Sequence, residues 1–518
     1  MDEALHWSIG GAAALAAWSI PRRVAGARMA AKPAMALDIL PVLVAGALLL
    51  IGTGRPMFSG IVLLALGGGF ALADHSKRQA LREPVVFSDM SELEHVFTHP
   101  HLYLPFAGPA VVIGGALTAI GLGIAVLMFS PALWQPQLPF TTFALLVTSG
   151  AGWLLCREPL LGIAAARLRQ FQPTGEPLAD AARLGPFAVL FVYGIIARAE
   201  RAKRRASLRP RPRVLRNRSV ATPVVLVQCE SFFDARRVSS RVPRHLLAAF
   251  DACVQKGASY GRLEISAWGA NTMRAEFAAL TGISEQQLGY DRFNPYHAFA
   301  RAPLASLASR LRGEGYRTIC LHPFDRRFFR RDLAMPALGF DKFLGRETLG
   351  GSRRPPYQSD PELARQIVGV LDAEGLRTFI FAITMGNHGP WFENGAAIDP
   401  VLERAFDTSG VPQGRALLRY LAGLSLSDEM LAILLEELGP GARNALFGFY
   451  GDHQPSLPDA FGYFGFDDWA SDYVLVGGAP SHHRRVDLPA HMLPRMIIQG
   501  LRDREAIEQT RAVPLGAA

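Results

Sequence analysis

Glu230, Thr272, His322, His388, Asp452 and His453 have the types and settings from which chemistry could be built. All but Thr272 follow short apolar runs. Val224 to Val227 leads to Cys229-Glu230, Thr318 to Leu321 to His322, Phe379 to Ile383 to Asn387-His388, and Leu446 to Tyr450 to Gly451-Asp452-His453. Apolar runs of this length read as buried strands. Helical patterns such as Leu304 to Leu311 and Asp428 to Leu438 lie between them. Strands alternating with helices predict an α/β domain with a mostly parallel central sheet flanked by helices. In such sheets ligands bind beyond the carboxyl ends of the strands, where these polar residues fall.

Glu230, Asp452 and His453 offer carboxylates and an imidazole. That donor mixture suits Mn²⁺, Zn²⁺ or Mg²⁺ rather than a thiolate-preferring metal. Alone, Gly451-Asp452-His453 reads equally as a loop with an ion pair; its weight comes from facing another strand-end carboxylate. Thr272 lies in Gly269-Ala270-Asn271-Thr272-Met273-Arg274-Ala275-Glu276-Phe277, and the helical pattern Ala275 to Leu280 follows. Thr272 therefore falls at or near a helix N-terminus, where backbone N–H groups and the helix dipole favour a phosphate or a developing anion. The plainer alternative is that Thr272 or Asn271 only caps the helix.

Cys229-Glu230-Ser231-Phe232, Asn271 to Phe277, Phe328-Phe329-Arg330-Arg331-Asp332, Thr384-Met385-Gly386-Asn387-His388-Gly389-Pro390 and Gly451-Asp452-His453-Gln454-Pro455 occur in this order. Together they resemble the lipoteichoic acid synthase-like branch of the alkaline phosphatase and sulfatase superfamily, over roughly residues 221 to 500. The resemblance implies one metal ion, manganese first and Zn²⁺ or Mg²⁺ otherwise, bound by Glu230, Thr272, Asp452 and His453. It implies that Thr272 is the nucleophile, since a metal-bound hydroxyl ionises more readily. Thr272 would take a phosphate-linked head group from phosphatidylglycerol, release diacylglycerol, and pass the group to an envelope glycan or lipid. By the same resemblance His388 contacts the substrate phosphate, and Arg331 binds the head group. His322 matches another active-site histidine. Phe329 stands where the family often has Trp and Arg330 where it has Asn, which leaves head-group choice open. As alternatives, His322 is a packed strand-end histidine and Arg331 a surface ion pair. The cluster Arg326, Arg327, Arg330 and Arg331 holds a more anionic substrate or faces solvent. Phosphoethanolamine transfer, hydrolysis and a non-catalytic membrane receptor are the competing functions. No Cys-x-Pro-x-Arg motif stands at the nucleophile position, which counts against a sulfate-ester hydrolase.

The catalytic residues occupy only the second part of a chain of 518 residues, 50% of them hydrophobic. Mean hydropathy is +0.16. Long apolar runs crowd the first 200 or so residues: Leu5 to Ile20, Ala36 to Ile51, Met57 to Leu72, Ala107 to Phe129 and Phe140 to Cys156. Each approaches the roughly 20 residues of a membrane span. A shorter sixth segment, Leu184 to Ala197, becomes long enough if its helix extends back to Leu178. Residues 1–197 are thus expected to form a transmembrane domain of five to six helices, followed by a basic juxtamembrane linker at 198–220, a catalytic domain at 221–500 and a C-terminal tail at 501–518.

Arg22, Arg23, Arg28 and Lys32 follow the first run, Lys77, Arg78 and Arg82 the third, and Arg157, Arg167 and Arg169 the fifth. Positive-inside bias then puts the N-terminus outside. Six crossings would leave the catalytic domain on the outer face of a bacterial inner membrane. The basic run Arg198 to Arg218 opposes that sixth crossing, unless it lies against lipid phosphates. Net charge is +9, much of it in that run, which reads as a lipid-facing strip rather than a nucleic-acid arm. Cys156, Cys229, Cys253 and Cys320 match no zinc or disulfide spacing. The start Met1-Asp2-Glu3 lacks the basic region of a cleavable signal peptide.

Overall fold

A computed structural model describes residues 3–28, 32–210, 221–256, 259–392, 396–478 and 484–512. Part of the expected basic linker (211–220) and part of the expected tail (513–518) lie outside the described residues. The chain divides into two compact units. One is Met1–Lys203 with Gly289–Phe293, the other Arg204–Leu288 with Asn294–Ala518.

The first unit is helical. It contains α1 (Glu3–Val24), α2 (Lys32–Thr53), α3 (Pro56–Leu81), α4 (Pro109–Phe129), α5 (Leu138–Leu155), α6 (Pro177–Leu184) and, up to Lys203, α7 (Pro186–Ser207). Among the described residues, α2 to α5 are long and apolar enough to cross a membrane. α4 and α5 expose Ile113, Leu117, Phe143 and Leu146, a surface that lipid favours and water does not. α1 packs along α3 through small residues. A Cβ added to Gly60 would stand 2.2 Å from the Gly10 carbonyl oxygen, and one on Gly67 2.3 Å from that of Ala17. Such close approach is how membrane helices gain contact where apolar burial supplies no driving force.

The extension of the sixth segment back to Leu178 does not hold. Gly185, at φ 105°, ends α6, and Pro186 starts a separate helix. α7 buries one stripe, Ala188, Val189, Val192, Tyr193 and Ile196, with the spacing of an amphipathic helix. The Tyr193 hydroxyl donates to buried Asp180 at 2.7 Å. Arg201 bonds Asp291 of the returning Gly289–Phe293 segment at 2.7 Å.

The second unit is built on an eight-stranded sheet. Its strands are β1 (Val224–Cys229), β2 (Ser259–Glu264), β3 (Arg317–Leu321), β4 (Lys342–Leu344), β5 (Thr378–Ile383), β6 (Leu446–Gly451), β7 (Ser471–Val476) and β8 (Leu488–Pro489). Their order is β4-β3-β5-β1-β6-β7-β2-β8. β4, β3, β5, β1 and β6 run parallel; β7 is antiparallel to β6 and β2. The mostly parallel sheet read from the apolar runs is therefore present.

The helices that concern the site are α8 (Thr272–Thr281), α9 (Arg331–Ala337), α10 (Asp360–Glu374), α11 (Gly414–Leu438) and α12 (Leu493–Ala512). Alternate β1 residues enter opposite cores. Val225, Val227 and Cys229 pack with Leu363 and Ile367 of α10 and Leu421 and Leu431 of α11. Val224 and Leu226 pack with Met273 and Phe277 of α8 and Ile497 of α12. Both faces of β1 are thus covered, which explains its unbroken apolar run. The register pairs Gln228 with Ile383, Cys229 with Gly451, and Leu321 with Ala382. The carboxyl ends of β3, β5, β1 and β6 therefore lie level, one strand spacing of about 4.8 Å apart.

Candidate active site

Glu230 follows β1, and Asp452 and His453 follow β6, so adjacent strand ends bring them together. Candidate ligand atoms of all three lie within 4.8 Å of one another, and each residue is buried. His453 Nε2 is 3.5 Å from Glu230 Oε1 and 3.4 Å from Asp452 Oδ2. Donors bound at about 2.1 Å to one tetrahedral centre would stand roughly 3.4 Å apart. His453 Nδ1 is 2.9 Å from the Gln454 carbonyl. If Nδ1 carries the proton and donates it there, the Nε2 lone pair is left for a ligand. Asp452 Oδ2 is buried without a hydrogen-bond partner. Burial and neighbouring Asp452 push the Glu230 carboxyl up to about 8. Desolvated carboxylates, an orphaned oxygen and an imidazole lone pair all suit a divalent cation.

Ser231 sets this arrangement, although its sequence context marks no role for it. Its φ is 55°, a conformation that costs energy for a non-glycine residue and recurs at functional sites. Its N–H donates to Asp452 Oδ1 at 2.8 Å and its hydroxyl to Glu230 Oε1 at 2.8 Å. Tyr420 donates to its carbonyl at 2.9 Å.

Thr272 is the first residue of α8. Asn271 occupies the cap position at φ 65°, and makes no side-chain capping bond. Neither residue acts as a side-chain cap. Thr272 Oγ1 instead stands 3.4 Å from His453 Nε2. A bridge between Gly269 and Pro455 ties the loop before α8 to the loop after β6. The hydroxyl thus stands beside the Glu230, Asp452 and His453 cluster as a candidate fourth donor.

Glu276 lies one helical turn after Thr272, on the same face. Its carboxylate holds Arg331, with Oε2 2.7 Å from Nη2 and Oε1 3.0 Å from Nε. Tyr296 donates to Glu276 Oε1 at 2.7 Å. Arg331 Nη1 is 3.2 Å from His322 Nε2, and His322 Nδ1 is 3.3 Å from the Ile383 carbonyl. Burial, with Arg331 beside it, holds His322 well below the usual histidine range. A neutral His322 accepts from Arg331 and donates to the end of β5. Arg331 is not a surface ion pair, since its side chain is 2% exposed. Phe329 and Arg330 precede it at φ 56° and 57°, and the guanidinium lies 5.3 Å from the Phe329 ring centroid. Arg326, Arg327 and Arg330 are exposed; Arg326 faces Glu347 and Arg327 faces Asp325.

His388 stands on the loop after β5. Its Nδ1 is 2.6 Å from the Gly389 carbonyl, and burial lowers its pKa. Asp360, at the start of α10, fixes this loop. It accepts from the Gly386 N–H at 3.0 Å and from Ser427 at 2.6 Å. Tyr357 packs beside His388, ring centroids 5.9 Å apart. Sequence reading missed Glu276, Asp360 and Tyr357. Only Glu276 carried a usable signal, four residues after Thr272 in the same segment.

Residues 223–489 match the family model described as Sulfatase. The chain belongs to the sulfatase family. Curated relatives include a capsular polysaccharide biosynthesis protein of Rhizobium meliloti, 29% identical over 436 residues, 82% of this chain and 77% of that protein. A second, from the same organism and named for cyclic β-1,2-glucan modification, is 29% identical over 246 residues, 47% of this chain and 37% of that protein. Among solved structures, a Streptococcus pyogenes phosphoglycerol transferase in complex with sn-glycerol-1-phosphate is 20% identical, with a TM-score of 0.44 over 63% of this chain and 87% of that one. The lipoteichoic acid synthase of Listeria monocytogenes is 20% identical, at 0.43 over 54% and 72%. These superpositions are too loose to bear on chemistry.

Proposed function

We propose that this sulfatase-family chain is a membrane-bound phosphotransferase of the lipoteichoic acid synthase-like branch. It moves a phosphoglycerol group from phosphatidylglycerol to a glycan or lipid acceptor of the cell envelope, through a phosphorylated Thr272. One observation carries the reading: Thr272 Oγ1 stands 3.4 Å from Nε2 of His453, within a buried cluster that also holds Glu230 and Asp452.

Glu230, Asp452, His453 and Thr272 would hold one divalent ion, manganese first by the donor set and Zn²⁺ or Mg²⁺ otherwise. Bound there, the ion would favour the Thr272 alkoxide and offset phosphoryl charge. The Thr272 oxygen bonds to phosphorus as the bond to the diacylglycerol oxygen breaks, and that oxygen leaves as a hydroxyl after taking up a proton. The N-terminus of α8 steadies the transferring phosphate with its dipole. Arg331, fixed by Glu276 and His322, and Phe329 face the head group, and His388 contacts the phosphate. The acceptor hydroxyl oxygen then attacks the same phosphorus, the bond to the Thr272 oxygen breaks, and the acceptor's proton ends on the released Thr272 hydroxyl. Relatives named for capsular polysaccharide biosynthesis and glucan modification support a glycan as acceptor.

The test is incubation of the purified full chain with labelled phosphatidylglycerol and, separately, phosphatidylethanolamine. Diacylglycerol should be released from phosphatidylglycerol by the wild type and not by Thr272→Ala. Thr272 makes no side-chain cap, so Thr272→Ala removes none, and a thermal scan of the variant separates lost turnover from unfolding. Release from phosphatidylethanolamine alone would reassign the head group, and normal turnover by Thr272→Ala would remove the nucleophile.

A further inference from the structure

Tyr357 follows Pro355 and Pro356 on the loop between β4 and α10. Its ring is fixed edge-on between two neighbours, at 5.9 Å from Phe324 and 5.9 Å from His388. Three residues later, Asp360 bonds the Gly386 N–H at 3.0 Å, so the same short stretch that carries Tyr357 also pins the loop of His388. Proline fixes φ and limits the freedom of the approach. The phenol is thus held in place before any ligand arrives.

Its hydroxyl oxygen is buried and has no hydrogen-bond partner. Leaving such a group unmade is costly, and native structures rarely do so without a ligand or a water to satisfy it. The ring contact with His388 sets the phenol beside the residue proposed to contact the phosphate. An ordinary phenol keeps its proton at neutral pH and is a hydrogen-bond donor. Asp452 Oδ2, another orphaned buried atom, belongs to the metal-ligand cluster. The two orphans have opposite chemistry: a carboxylate oxygen takes a cation, and a phenol takes an acceptor. A phosphate oxygen beside a bound cation meets the second need while the cation meets the first.

We propose that Tyr357 is a substrate-binding residue whose hydroxyl donates to an oxygen of the phosphoryl group held at the Glu230, Asp452 and His453 cluster. The proposal rests on the phosphotransfer reading above and adds a contact that the motifs do not mark. The phenol is placed to act on the phosphate that every substrate of this site would share, rather than on the head group or the acceptor.

The experiment compares detergent-purified, Mn²⁺-loaded full-length wild type with Tyr357→Phe and Tyr357→Leu. The probe is inorganic phosphate, with affinity read by titration calorimetry. Metal content and thermal unfolding are measured on the same samples. A hydrogen bond to a charged oxygen predicts a loss of phosphate affinity of about ten- to a hundred-fold in Tyr357→Phe, with metal content and unfolding midpoint unchanged. Tyr357→Leu should lose at least as much. Phosphate affinity within two-fold of wild type in Tyr357→Phe would overturn the proposal. So would a loss confined to Tyr357→Leu, which would assign the effect to ring packing. If the loaded wild type itself binds no phosphate, the phosphotransfer reading falls, and this proposal with it.

Discussion

Glu276 grips the buried guanidinium of Arg331 through both carboxylate oxygens, one helical turn after Thr272. The pair sets the distance between the proposed nucleophile and the proposed head-group arginine, because α8 carries both Thr272 and Glu276. Glu276→Gln would leave the Arg331 charge buried without its counter-ion. Breaking a buried pair in this way costs about 3–5 kcal/mol, which lowers the unfolding midpoint by on the order of 10 °C. Replacing both partners, as in Glu276→Gln with Arg331→Met, should recover much of that stability and none of the turnover. Thermal unfolding and lipid turnover of the detergent-purified chain check both halves. A Glu276→Gln protein with normal stability and rate would show that the pair positions nothing.

Asp452 leaves one buried oxygen unpaired, and a cation there should stabilise the fold. Protein holding an ion at a hundred times its dissociation constant gains about 2.7 kcal/mol. Chelation should therefore lower the wild-type unfolding midpoint. Asp452→Asn should bind little metal and show a midpoint indifferent to chelator. Elemental analysis after dialysis reads the first outcome and a thermal scan with and without chelator the second. Full turnover after exhaustive chelation, with no metal detected, would remove the single-metal mechanism.

The apolar runs before Glu230, His322, His388 and Asp452 were legible because nearly every residue of β1, β3, β5 and β6 is buried, which leaves their sequences almost free of charge. β2 was not, because only alternate residues are buried in Ser259–Glu264, and Gly261 and Arg262 interrupt the apolar signal. The split between α6 and α7 was missed although Gly185-Pro186 marks it, because apolar residues on either side read as one run. Glu276 carried a local signal, four residues after Thr272, although its partner Arg331 lies far along the chain. Ser231 and Tyr357 carried none, because their partners, Asp452 for Ser231 and His388 for Tyr357, meet them only in the fold.

His322 should make the fold acid-sensitive. Burial and Arg331 hold its folded pKa well below 6.5, so the folded state keeps the ring neutral while the unfolded chain takes up a proton. Stability is then fully present above about pH 6.5 and falls as pH drops below it, by about 1.4 kcal/mol one unit lower. His388, also lowered, acts with the same sign. His322→Gln should flatten, without abolishing, the fall in unfolding midpoint between about pH 7.5 and pH 5.5. An unchanged pH dependence in His322→Gln would mean that His322 takes a proton in the folded state.

The catalytic domain should lie outside the cytoplasm, and the helices of the first unit change how it gets there. α7 is a poor sixth crossing: Gly185 and Pro186 cut it off from α6, and it buries a single stripe. That leaves α2 to α5, apolar enough to span, together with α1, which packs along α3 through Gly10 and Ala17. Five crossings reach the outer face only if the N-terminus starts in the cytoplasm, opposite to the orientation that the loop cations suggest. Several of those cations are spent on internal pairs. Arg22 bonds Asp38 at 2.8 Å, Arg78 bonds Asp74 at 2.6 Å, and Lys77 bonds Glu83 and Asp89 at 2.8 and 2.7 Å. The donor argues for the outer location, since no Gly-x-x-x-x-Gly-Lys phosphate loop occurs in residues 221–500 and a lipid can donate where ATP is absent. Two fusions decide it. Alkaline phosphatase joined after residue 518 should be active, and a cytoplasm-only fluorescent protein joined before residue 1 should be bright. Phosphatase activity with a dark N-terminal fusion would restore the six-crossing route. A silent phosphatase, with fluorescence from the C-terminal position instead, would place the site in the cytoplasm and end the envelope-acceptor reading.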